Sequence, residues 1–206
     1  MRFLIVDVHP IILVALSEML QATFRGTVSR IDTATGVPGL LRRLGEVCYD
    51  CLILEPEMLA PLKGIPLLKV VRDVASSSKL IVYTGNTSPY LALVALDHGA
   101  MAYVSKCSGP QLAIDAIRAV VAGQTFIDPS IDVEAARNHP WNSLSNSERS
   151  VMLALAKGEN MPTLAIDSHR GYKTVSTHKY NAVRKLVLRS KAESGVFLSR
   201  HGWDCL

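Results

Sequence analysis

The chain has 206 residues with 22 Lys/Arg and 18 Asp/Glu, a formal net charge of +4, which is enough length for one or two domains. No apolar run reaches membrane-spanning length, and the four cysteines lack a second Cys/His pair at zinc-ligand spacing. Residues 1–127 hold eleven basic and ten acidic side chains, 128–143 one and three, and 144–206 ten and five. The positive excess therefore sits in a small C-terminal module, a division suited to one part holding nucleic acid while the other does something else.

The opening MRFLIVDVHPIILVAL has a leader-like apolar start, but Asp7, His9 and Pro10 break it and no small-residue cleavage site follows. It reads as a buried strand, a loop and a helix, so a cytoplasmic protein is expected. Short apolar runs recur at Phe3–Val6, Val28–Thr33, Cys51–Leu54, Leu80–Tyr83 and Ala102–Ser105. Runs of this length, rich in Val, Ile and Leu, predict parallel strands buried on both faces. Between them helical patterns occupy about 11–24, 37–47, 64–75, 88–98 and 109–122. In the last, Leu112, Ala116, Ile117, Val120 and Val121 share a face, and Gly123 suits the C-cap. Cys48 and Cys51 have C-x-x-C spacing, but they end a helical stretch and open a strand, so they read as small apolar residues. Five strand–helix repeats predict a doubly wound α/β domain on a five-stranded parallel, flavodoxin-like sheet over residues 1–127. Ligand chemistry then belongs at the C-terminal strand ends, near Asp7, Glu55 and Thr84.

Residues 128–143, polar and bounded by Pro129 and Pro140, predict a linker, with Trp141 as an anchor packed on a domain. Residues 144–206 predict a small all-α domain. Ser145 and Glu148 have capping-box spacing; Val151, Met152, Leu155 and Ala156 give the first helix its apolar face, and Gly158 ends it. A short helix over Pro162–Ser168, a turn containing Gly171 and a basic helix from about Lys173 to Leu188 make a helix-turn-helix. Arg170–Lys191 holds seven Lys/Arg and no acidic residue, while Val175, Ala182 and Leu186 repeat at helical spacing. One face of that helix packs and the other suits the phosphates of double-stranded DNA. A last helix near Lys191–Ser199 either covers the core or serves a dimer contact.

Leu144, Ser147–Glu148, Gly158, Leu164–Ala165, Lys173-Thr174-Val175, His178, Asn181 and Lys185-Leu186 together resemble the NarL/LuxR-type response regulators, and the resemblance extends over nearly the whole chain. Within that family the KTVSTHKYNAVRKL segment is similar to the RcsB branch. The resemblance implies that the basic helix enters the major groove with Ser176, Thr177 and Tyr180 towards bases. Lys173, Lys179, Arg184 and Lys185 would meet phosphates, with Thr174 and His178 on the same DNA-binding helix. Phosphate contacts position a protein and base edges specify the sequence.

The N-terminal half resembles a receiver domain with altered chemistry. A receiver has an acidic pair after its first strand, a phosphoaccepting aspartate after the third, a Thr/Ser after the fourth and a Lys after the fifth, and it binds magnesium. Here the pair reads Asp7-Val8, the acceptor position is Glu55, Thr84 and Lys106 match, and Tyr103 holds the switch-aromatic position. Val8 removes an oxygen donor from an ion that demands near-ideal octahedral geometry, so neither metal nor cofactor is expected. Glu55 reaches one methylene further than Asp. Two readings stay open: Glu55 stands in for phosphoaspartate, fixed by Lys106, or it is a buried carboxylate neutralised by that lysine. The expectation is a dimeric transcription regulator whose DNA binding does not depend on phosphorylation. Alternatives are a heterodimerising partner of another regulator and a regulator switched by a ligand or by Cys107. No phosphate-cradling glycine loop or supported Ser/His/Asp set indicates an enzyme.

Overall fold

The computed structural model describes residues 1–57, 62–188 and Glu193. Apart from Glu193, the helix expected near Lys191–Ser199 lies outside the described residues. The chain divides into two compact units, Met1–Asp132 and Val133–Leu206.

The first unit is a parallel sheet in the order β2-β1-β3-β4-β5-β6. Its strands are β1 (Arg2–Val6), β2 (Arg30–Ala34), β3 (Cys51–Leu54), β4 (Lys79–Thr84), β5 (Ala100–Ser105) and β6 (Phe126–Ile127). The crossover helices are α1 (Pro10–Thr23), α2 (Val37–Glu46), α3 (Gly64–Val74), α4 (Pro89–Asp97) and α5 (Pro110–Val121). Phe3 to Val6 and Cys51 to Leu54 are buried at every position, as strands covered on both faces must be. On α1, Leu13, Leu16 and Leu20 share a buried stripe. They join Phe3, Ile5, Ile114, Ile117 and Val120 in one core. Chain order reverses beside β1, which pairs with both β2 and β3. The C-terminal edge of that reversal is where doubly wound sheets place their sites.

The sheet has six strands rather than the five expected. β6 is two residues long and parallel to β5, too short to register as a hydrophobic run. Its continuation is tied down by Asp128, which is buried. The Asp128 carboxylate accepts from Ser105 N at 3.0 Å and Ser130 N at 2.9 Å. Burial alone would raise its pKa, but hydrogen bonds from Ser108, Ser130 and Ser105 hold it below the ordinary aspartate value.

The second unit comprises α6 (Val133–Arg137), a 3-10 turn at Pro140–Ser143, α7 (Asn146–Ala156), α8 (Met161–Asp167) and α9 (Tyr172–Lys185). Residues 128–143 are thus shared between the units and mostly folded, and Trp141 is buried. The capping box forms: Ser145 N donates to Glu148 Oε2 at 2.7 Å and Glu148 N donates to Ser145 Oγ at 3.3 Å. Gly158, at φ +88°, follows the end of α7, a conformation glycine adopts without steric cost. Val151, Leu164, Ala165 and Val175 draw the helices together. Among the described residues no helix is long and apolar enough to cross a membrane.

Candidate functional site

The register of the parallel strands brings one cluster of polar side chains to the C-terminal edge of the sheet. Asp7 follows β1, Glu55 follows β3, Thr84 ends β4 and Lys106 follows β5. Asp7, Glu55 and Thr84 are buried. Lys106 Nζ bridges the two carboxylates, 2.5 Å from Asp7 Oδ2 and 2.8 Å from Glu55 Oε2. Burial works against the ammonium, yet hydrogen bonds to Asp7 and Glu55 outweigh it and raise the Lys106 pKa above 10.5.

Glu55 is held from three sides. Its Oε2 accepts from Gly85 N at 3.3 Å in addition to Lys106, and its Oε1 accepts from Glu57 N at 3.1 Å. Two of these partners are backbone amides, which residue types do not reveal. Asp7 gains a partner overlooked in the sequence: Oδ1 lies 2.8 Å from His9 Nδ1 and accepts from His9 N at 2.9 Å. The spacing of two residues fits an Asx turn.

Thr84 belongs to the cluster by position, but its Oγ1 accepts from Asn86 N at 3.1 Å. Tyr103 is fully buried on β5 and donates to Asn86 O at 2.8 Å. Burial, then the nearby Glu55 charge, pushes its phenol pKa up. Glu55, Thr84 and Tyr103 therefore all meet one loop, residues 85–88. Glu55 holds its start through Gly85, and Tyr103 and Thr84 hold Asn86.

This donor set does not fit a magnesium ion. Val8 offers no side-chain oxygen where a second acid would stand, and both carboxylates are already spanned by an ammonium. Among the described residues no group of three or more His, Cys, Asp and Glu side chains is placed to hold a metal. Cys107 is exposed, but its neighbour Lys106 is committed to Asp7 and Glu55. Cys51 is buried, and burial raises its thiol to about 11, so the C-x-x-C spacing carries no reactive pair.

In the second unit, α9 buries Val175 and Ala182, with Leu186 following. Its opposite face is exposed at Lys173, Thr177, Tyr180 and Arg184, and Thr174 is exposed beside it. Ser176, His178 and Lys179 flank the face and are half-buried. The Thr177 hydroxyl donates back to Lys173 O at 2.9 Å. Lys185 is different. Its Nζ is 2.8 Å from Glu148 Oε2 and donates to Ser143 O at 3.1 Å, pinning the end of α9 to the start of α7. Burial would raise the Glu148 pKa, but Lys185 and the Ser145 cap hold it below the ordinary value.

Residues 3–118 match the response regulator receiver domain, and residues 142–198 match the bacterial regulatory proteins of the luxR family. The response regulator UvrY of Escherichia coli K12 is 31% identical over 150 residues, 68% of this chain and 69% of that protein. The oxygen regulatory protein NreC of Staphylococcus carnosus is 28% identical, covering 94% of each chain. Among solved structures, an RcsB–DNA complex superposes with a TM-score of 0.69 at 26% identity over 97% of this chain and 98% of that one. Salmonella typhimurium RcsB gives a TM-score of 0.72 at 26% identity over 97% and 99%.

Proposed function

The chain belongs to the response regulators with a luxR-type DNA-binding domain, and from that premise we propose that its DNA binding is independent of phosphorylation. The observation that carries this reading is the Glu55 carboxylate, spanned by Lys106 at 2.8 Å and by Gly85 N at 3.3 Å. An acceptor oxygen at that position does in one state what a phosphoryl oxygen does on demand: it ties the strand-end lysine and the loop after β4 to the end of β3. Because Glu is permanent, the two-state element that a phosphoryl group would bias is biased once and for all. Buried Tyr103 and its bond to Asn86 agree with a single settled arrangement of that loop.

The protein acts on double-stranded DNA as a dimer, a reading supported by the solved RcsB relative described as two dimers bound to two DNAs. Lys173, Lys179 and Arg184 supply phosphate contacts, while Ser176, Thr177 and Tyr180 approach base edges. Two copies of α9 would read half-sites about one helical turn apart or a multiple of it. Lys185 is a positioning residue, since its ammonium is already engaged.

Replacing Glu55 by Ala tests the role of the pocket. The wild type should bind its selected duplex without phosphodonor, and Glu55→Ala should weaken binding and dimerisation together. Unchanged affinity and unchanged oligomeric state in the folded variant would leave Glu55 as a buried carboxylate merely neutralised by Lys106.

A further inference from the structure

The outward stripe of α9 has an unusual chemical order. Lys173, Thr177, Tyr180 and Arg184 follow one another at spacings of four, three and four and are all exposed, so they stand in line along the helix. The two ends of the stripe are cationic and its middle is not. The Thr177 hydroxyl is turned back onto Lys173 O at 2.9 Å, which leaves its methyl as the group facing outward. Tyr180, 67% exposed, presents an aromatic ring beside it. No guanidinium or carboxamide stands between Lys173 and Arg184 on this line.

Base edges in the major groove differ chiefly in their donors and acceptors, except that thymine alone adds a methyl. Arginine recognises guanine, and Asn or Gln recognises adenine; a threonine methyl or an aromatic ring recognises the thymine methyl. Thr177 and Tyr180 are separated by about 4.5 Å along the helix axis, close to one base-pair step of about 3.4 Å. Resting on the reading that α9 enters the major groove, we infer that Thr177 and Tyr180 read thymine methyl groups on neighbouring base pairs. Each half-site would then carry A·T pairs at its centre. The cationic ends fall to the phosphates or to flanking pairs.

The test starts from a random-sequence duplex library enriched on the full chain. In the enriched duplex each thymine is replaced in turn by deoxyuridine, which removes the methyl and keeps the pairing edge. Loss of one buried methyl should weaken binding about fourfold at one or two adjacent central positions. Thr177→Ser keeps the hydroxyl bond and deletes the side-chain methyl, so it should abolish the deoxyuridine effect at one of those positions, and Tyr180→Ala at the other. If deoxyuridine changes nothing, or if its effect persists undiminished in both variants, the inference is overturned while sequence-selective binding by α9 stands. If no duplex is enriched at all, the major-groove reading fails and takes this inference with it.

Discussion

Glu55 is longer than the aspartate of a receiver by one methylene. Its carboxylate reaches both Lys106 and the backbone after β4. Lys106 in turn is the only counter-charge given to both buried acids among the described contacts. Removing it takes the shared ammonium from both carboxylates and leaves them to the His9 ring and backbone amides, and breaking a buried pair this way costs about 3 kcal/mol. Lys106→Met should therefore lower the stability of the first unit by roughly that amount in a urea melt; no loss would mean that the pair is solvated. Val187 offers the opposite sign. It follows α9 at φ +56°, a left-handed conformation that a β-branched residue adopts at a cost. Val187 N donates to Arg184 O and Leu188 N to Val183 O, the two bonds of a Schellman ending whose turning residue is usually glycine. Val187 is largely exposed, so Val187→Gly should stabilise the second unit by about 1 kcal/mol, read as a raised melting temperature.

At the scale of elements, the tie between α7 and α9 sets the pose of the helix proposed to face DNA. Glu148 serves both the cap of α7 and Lys185. Its folded pKa lies below 4.5, so its stabilisation is present above that value and is lost as pH falls through the lower, folded value. Glu148→Gln should flatten the acid limb of the stability profile of the second unit; a limb unchanged in the variant would remove Glu148 as its source. The two lysines of α9 should also separate. Lys173→Met should reduce the salt slope of DNA binding by about one with stability unchanged, whereas Lys185→Met should act first on stability. The capping box was legible because Ser145 and Glu148 are three residues apart, and the strand and helix positions were legible from local periodicity. The engagement of Lys185 was not, because its partners lie 37 and 42 residues away and its residue type suits a phosphate equally well. The two-residue β6 is too short to register as an apolar run, and the five-residue α6 left no periodic signal in a stretch that reads as a polar linker.

Over the whole molecule, the candidate pocket and the basic helix α9 lie in different units, each with its own core. The residue types of the pocket were readable in order along the chain: Asp7, Glu55, Thr84, Tyr103 and Lys106. Their grouping follows from a parallel sheet that delivers every strand end to one edge. What residue order could not supply is the backbone half of the site, Gly85 N on Glu55 and Asn86 O on Tyr103. The first of these joins Glu55 to the loop after β4 as well as to Lys106. Whether phosphorylation gates DNA binding is decided by the duplex affinity of the purified full chain before and after incubation with acetyl phosphate and magnesium, with the intact mass followed in parallel. No phosphoryl adduct and the same affinity in both samples are expected. A covalent phosphoryl adduct accompanied by tighter binding would show that phosphorylation still switches the protein.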